Sequence, residues 1–186
     1  MNTENPSDSD PQPGGISVEV SDTQSHLTVD PEALIRLVRG ALRAEGVGRA
    51  SISLAVVDDA TIRAINGRHL GHDWPTDVIG FVLSDEGDEE LSGDLVVSAE
   101  MAAATAREAG VSAWDELALY VVHGLLHFCG HDDQTPEDRD AMRRREGEVL
   151  AGLGLSNTFP AAAAAGLVEA GRGAERGGRE SARWTV

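Results

Sequence analysis

Cysteine occurs once in this chain, at Cys129, lysine does not occur at all, and all 15 basic residues are arginines. A lone cysteine excludes an internal disulfide and fits a reducing cytoplasm. No apolar run approaches the ~20 residues of a membrane-spanning helix, so no membrane span is expected. The opening stretch is polar, acidic and rich in Pro and Ser, unlike a secretory or transit signal. Internal repeats are also lacking. What remains is a chain of 186 residues that reads as one domain with ragged ends, long enough to bury a proper core. Positive charge is scarce too, and the formal net charge is −17. Phosphate binding is driven by Lys and Arg, so charge taken alone speaks against a nucleic-acid partner. The acids are localised, however: Glu4, Asp8 and Asp10 lie in the leader, and Asp85, Glu86, Asp88, Glu89 and Glu90 form one run. The arginines cluster elsewhere, at Arg36, Arg39, Arg43 and Arg49 and again at Arg139, Arg143, Arg144 and Arg145. A local basic surface stays open, although a solvated helix face is the default reading for Arg143 to Arg145.

Periodicity organises the chain into three parts. Residues 1–15 read as a disordered acidic leader, 16–155 as the folded domain, and 156–186 as a low-complexity Ala/Gly/Arg tail, expected to be disordered. Within the domain, alternation predicts strands over Ile16–Val20, Ser51–Val57, Asp77–Leu83 and Asp94–Ser98. Asp30 with Pro31 opens an amphipathic helix, and Asp58 or Asp59 caps a short one ending near His69. Further helices are expected over Glu100–Ala109, Ala113–Cys129 and from Pro136 to about Leu150. Strands in the first half and helices in the second give an α+β domain: a small mixed sheet of about four strands, packed by helices, one of them a zincin-like metal helix.

That helix carries the chemistry. Five of the six histidines fall in two clusters, His69 with His72 and His123 with His127 and His131. His123 and His127 stand four residues apart in an otherwise apolar segment. On a helix they share one face, and buried imidazoles are costly unless paired. Neutral imidazoles so placed grip a divalent metal, above all zinc. Gly130 stops the helix, and beyond it the chain can turn back to bring His131, Asp132 or Asp133 to the same ion. Three protein ligands leave a position open for water, the arrangement of a catalytic zinc and of hydrolysis. A zincin protease would carry a Glu general base after the first histidine, where this chain has Gly124, so a peptidase or amidase is disfavoured. Phosphodiester cleavage asks less of the protein, mainly positioning and charge stabilisation. Cys129 is spaced away from the histidine face and reads as a small buried residue.

The run His123-Gly124-Leu125-Leu126-His127-Phe128-Cys129-Gly130-His131-Asp132-Asp133 resembles the signature of the YbeY family, H-G-x-L-H-L-x-G-Y-D-H. Two further blocks support the resemblance. Ile65-Asn66, followed by Gly71-His72-Asp73-Trp74-Pro75-Thr76-Asp77-Val78-Ile79-Gly80-Phe81, is similar to that family's L-N-x-x-Y-R-x-K-D-x-P-T-D-V-L-S-F. Gly93-Asp94-Leu95-Val96-Val97-Ser98 is similar to its G-D-I-V-I strand. The blocks keep the family's order and span about Leu54 to Leu150. The resemblance implies a cytoplasmic rRNA maturation factor. That factor would be a zinc-dependent, single-strand-specific endoribonuclease, acting at the 3′ end of small-subunit rRNA and in ribosome quality control. The partners it implies are single-stranded RNA or pre-rRNA and the ribosomal small subunit or its assembly proteins. It also implies one Zn2+ per chain on three side chains: His123, His127 and, by offset in the motif, Asp133, with His131 as the alternative third ligand. The family's arginine aligns with Leu70 and its lysine with His72. Arg68 and His72 are therefore the candidate catalytic cations, and Arg68 and His69 the candidate substrate contacts. The loss of the arginine keeps a second reading open, a non-catalytic ribosome-assembly or RNA-binding factor with a structural metal.

Overall fold

The computed structural model describes residues 15–159 and 183–185; the rest of the expected leader and tail lies outside the described residues. The elements run β1 (Ile16–Asp22), α1 (Pro31–Ala44), β2 (Ala50–Val57), α2 (Asp59–His69), β3 (Val78–Val82), β4 (Leu91–Ser98), α3 (Ala99–Ala109), α4 (Ala113–Phe128), α5 (Pro136–Gly152) and β5 (Arg183–Thr185). Each described helix begins on a side-chain cap. Asp30, Asp58, Ser98, Ser112 and Thr135 each accept a backbone N–H from the first turn that follows, which satisfies a donor the helix leaves orphaned.

The sheet is mixed, in the order β1-β2-β4-β3-β5. β1 with β2 and β2 with β4 are parallel, while β3 runs antiparallel to β4. The four expected strands are all present. The fifth is a three-residue strand from the C-terminal segment, antiparallel on the outer edge of β3.

Alternating side chains divide the sheet between two cores. Ile52, Leu54 and Val56 of β2, Val78 of β3, and Leu95 and Val97 of β4 join the larger core with α1, α4 and α5. Val57, Ile79 and Val96 point the other way, against Ile62 of α2. Twelve of the sixteen residues of α4 are buried, as befits a helix enclosed by sheet and neighbouring helices. Its approach to the sheet depends on small residues. A Cβ at Gly124 would run into Leu95 Cδ1 and stand 3.0 Å from Val78 Cγ2. The Phe128 ring, in turn, occupies the space that side chains at Gly80 and Gly93 would need. Among the described residues, no helix is long and apolar enough to cross a membrane.

Candidate metal centre

Positions 116, 120, 123 and 127 recur on one face of α4, so Glu116, Tyr120, His123 and His127 form a polar seam along an otherwise apolar helix. His123 and His127 sit one turn apart with their rings edge to face, and their Nε2 atoms stand 3.1 Å apart. Gly130, at φ 92°, then reverses the chain, a left-handed conformation that glycine adopts without strain. The reversed loop returns Asp133, whose Oδ1 lies 4.0 Å from His127 Nε2. One ligand atom from each of His123, His127 and Asp133 falls within 4.8 Å of the others, and this is the one such cluster among the described residues. Two nitrogens bound ~2.0–2.1 Å from one tetrahedral zinc stand about 3.3 Å apart, so the imidazole pair fits that ion.

A carboxylate fixes the first imidazole. Glu146 of α5 is fully buried and accepts the His123 Nδ1 proton at 2.7 Å, which turns the Nε2 lone pair toward His127. Arg143 donates to both Glu146 oxygens, at 2.8 and 2.9 Å, and lies over the Phe159 ring, 3.7 Å from its centroid. Burial alone would lower the His123 pKa, but the hydrogen bond and charge of Glu146 outweigh it, and the charge of Asp77 adds to the net rise. Burial holds His127 below the ordinary histidine value, with the charge of His123 adding to the effect. A neutral His127 is the form that binds a metal.

His131 is engaged elsewhere. Its Nε2 meets Glu45 Oε2 at 2.8 Å, and the other oxygen of Glu45 accepts from Arg145 Nε at 2.7 Å. Glu45 caps the C-terminus of α1, so this triad ties α1 to the loop carrying Asp133. Arg139 secures the same loop through the carbonyls of Asp133 and Gln134. Arg143 and Arg145 thus depart from the solvated face expected of them: each is drawn onto a buried or half-buried carboxylate on the protein side of α5, while Arg144 stays exposed. Cys129 is half-buried against the core rim, and burial, aided by the charge of Glu45, pushes its thiol up to about 12, far from a thiolate ligand.

The expected cations lie outside the metal cluster. α2 covers the opposite face of the sheet from α4. Arg68 is exposed in its last turn, and His69 packs edge-on against Phe81 at 5.5 Å. Leu70 joins the smaller apolar core, so its side chain replaces a cation with packing. His72 stacks on Trp74 in the loop that follows. Asp77 is turned into the protein: its Oδ1 accepts from Thr76 Oγ1 and from the Val78 N–H, both at 2.9 Å.

Three supporting residues escaped the sequence reading. Glu146 and Glu45 are separated in sequence from the groups they hold, and only the Arg143–Glu146 spacing of three on one helix hinted at a pair. Glu116 is the third. It is buried on the histidine face, and burial pushes its carboxyl up; its Oε2 and the nearby Thr158 Oγ1 close no hydrogen bond among the described residues.

The chain is similar to known proteins over most of its length. A family model described as Endoribonuclease YbeY matches residues 19–154. The Endoribonuclease YbeY of Carboxydothermus hydrogenoformans is 40% identical over 140 residues, which covers 74% of this chain and 97% of that protein. That of Pelotomaculum thermopropionicum is 43% identical over 151 residues, with 76% and 99% covered. A protein of Thermotoga maritima solved in solution shares the fold at a TM-score of 0.51, with 21% identity over 84% of this chain and 99% of its own.

Proposed function

The chain belongs to the YbeY family and is an endoribonuclease, a hydrolase acting on RNA; from that premise we propose that it uses zinc to cut single-stranded RNA in rRNA maturation. The reading extends to the 3′ end of small-subunit rRNA and to ribosome quality control in the cytoplasm, with pre-rRNA and the small subunit or its assembly proteins as partners. One observation carries it: His123, His127 and Asp133 converge within 4.8 Å while buried Glu146 holds the far nitrogen of His123.

In this reading His123 Nε2, His127 Nε2 and a carboxylate oxygen of Asp133 hold the metal. When bound, it supplies Lewis acidity toward a phosphoryl oxygen and a lowered pKa for water. The chain's own groups do the rest. Glu146 keeps the proton on His123 Nδ1, so Nε2 remains a lone-pair donor. Arg143 balances the buried charge of Glu146. Arg68, with no ion pair among the described residues, contacts the RNA backbone together with His69 and His72. Leu70 leaves charge stabilisation on the phosphate to the metal and to these flanking groups.

The packing of α4 speaks against a peptidase reading. A side chain at position 124 would run into Leu95 and Val78, toward the sheet and away from the metal cluster, so no general base fits there. The test is cleavage of single-stranded RNA, duplex RNA and a peptide by the wild type, the chelated wild type and His123→Ala. Cleavage of single-stranded RNA only, abolished by chelation and by the substitution, is expected. Full RNA cleavage by His123→Ala overturns the reading, and pre-ribosome association without any turnover favours the assembly-factor alternative.

A further inference from the structure

We infer that Trp74, backed by His72, is a stacking platform for one nucleobase of the RNA strand, a few nucleotides from the bond that is cut. The inference rests on the single-stranded RNA reading above and adds a binding residue to it.

Large apolar side chains are kept from water nearly everywhere in the described residues. Trp74, 37% exposed, and Leu83 are the exceptions. Trp74 is not loosely displayed. Its ring stacks on the His72 imidazole with centroids 4.5 Å apart and planes 13° from parallel. Its carbonyl accepts from Asn66 Nδ2 at 2.9 Å, and the His72 N–H donates to the Asn66 carbonyl at 3.4 Å. Between them, Asp73 receives a two-pronged contact from Arg63, at 2.8 and 2.9 Å. The loop is thus anchored at His72, Asp73 and the Trp74 backbone, and a ring held in place loses little freedom when a ligand stacks on it.

Position gives the platform its meaning. Trp74 precedes Val78 by four residues, a reach of at most ~14 Å along the chain. Val78 abuts Gly124, the neighbour of His123. The intervening Asp77 fixes the start of β3, its Oδ1 accepting from Thr76 Oγ1 and from the Val78 N–H, both at 2.9 Å. Base–aromatic stacking tolerates any base, which suits a strand bound without base pairing. Arg68, exposed six residues before Trp74, lies on the same stretch and suits the backbone of that strand.

The test is a cycle of binding measurements. Chelated full-length protein, in which cleavage is blocked, is titrated into a labelled short single-stranded RNA and followed by anisotropy. Wild type, Trp74→Ala and Trp74→Phe are each measured against the intact RNA and against versions with one abasic site stepped along the strand. Trp74→Ala is expected to weaken binding about tenfold, the size of ~1.4 kcal/mol, while Trp74→Phe keeps most of the affinity. One abasic position should cost the wild type a similar factor and cost Trp74→Ala nothing further. Unchanged affinity in Trp74→Ala overturns the inference. So does a loss in that variant that is the same for intact RNA and every abasic RNA, since that marks a structural role. Failure of the wild type to cleave single-stranded RNA when loaded with metal would instead sink the underlying functional reading.

Discussion

Replacing Glu146 by glutamine removes one negative charge from behind His123 and leaves the shape of the side chain almost intact. The wild-type carboxylate accepts from His123 Nδ1 at 2.7 Å and from Arg143 on both oxygens. In Glu146→Gln the amide oxygen can serve one of these donors, while its NH2 group faces the other with nothing to accept. His123 then loses both the anion that raises its basicity and the fixed tautomer that turns Nε2 toward His127 and the proposed metal position. Outer carboxylates of this kind carry about 10- to 100-fold in metal affinity, or ~1.4–2.7 kcal/mol. Alanine would be a poorer probe, because it strands Arg143 beside an empty buried pocket and costs about 3–5 kcal/mol of stability in its own right. Competition between protein and a chromophoric chelator for zinc reads the affinity, and melting of the chelated proteins shows that both are folded. A zinc affinity for Glu146→Gln within about twofold of wild type would refute the orienting role assigned to Glu146.

Other consequences can be measured alongside. Gly124→Ala forces a methyl group into Leu95 and Val78 and should destabilise the chelated protein by about 1–3 kcal/mol in urea unfolding; an unchanged midpoint would show that α4 can back away from the sheet. Partial burial of the Glu45 carboxyl would raise its pKa, yet His131 and Arg145 lower it further than burial raises it. A depressed folded value means that this contribution is present above about pH 4.3, the ordinary glutamate value, and fades as pH falls through the lower one. Glu45→Gln should therefore be less stable than wild type near neutrality and converge with it in acid, and a constant difference across the pH range would contradict the triad. Leu70→Arg restores a cation where this chain has packing, and it should raise kcat/KM on single-stranded RNA by about tenfold if a phosphate contact is missing there; no gain would mean that Arg68 and its neighbours already supply it.

How much of this was legible in the residues depends on the distance over which each contact acts. The 3.6-residue and two-residue periods reveal α1, α4 and the strands, because each pattern is local. Boundaries drift where pairing extends beyond the pattern: β4 begins at Leu91 rather than Asp94 because Leu91 and Gly93 find partners in Ala50 and Ile52 of β2. No local pattern marks Arg183–Thr185 as a strand; it exists by virtue of the open edge of β3. At the site, the four-residue spacing of His123 and His127 and the glycine after them made the candidate metal helix readable. The support of that helix was not. Glu146 lies 23 residues beyond His123, and the partner of His131 lies 86 residues before it, on another helix. The same blindness made Arg143 and Arg145 read as solvated, since nothing nearby in sequence says that α5 turns them toward Glu146 and Glu45.

The central claim is that one metal, held by His123, His127 and Asp133, makes this chain an RNA-cutting enzyme. Adding zinc stepwise to chelated protein while following cleavage of single-stranded RNA tests it most directly. Activity should rise from nothing and break sharply at one equivalent per chain, with Asp133→Ala needing far more metal and His131→Ala breaking where the wild type does. Cleavage that persists in the chelated protein, or that ignores the added metal, would contradict the account.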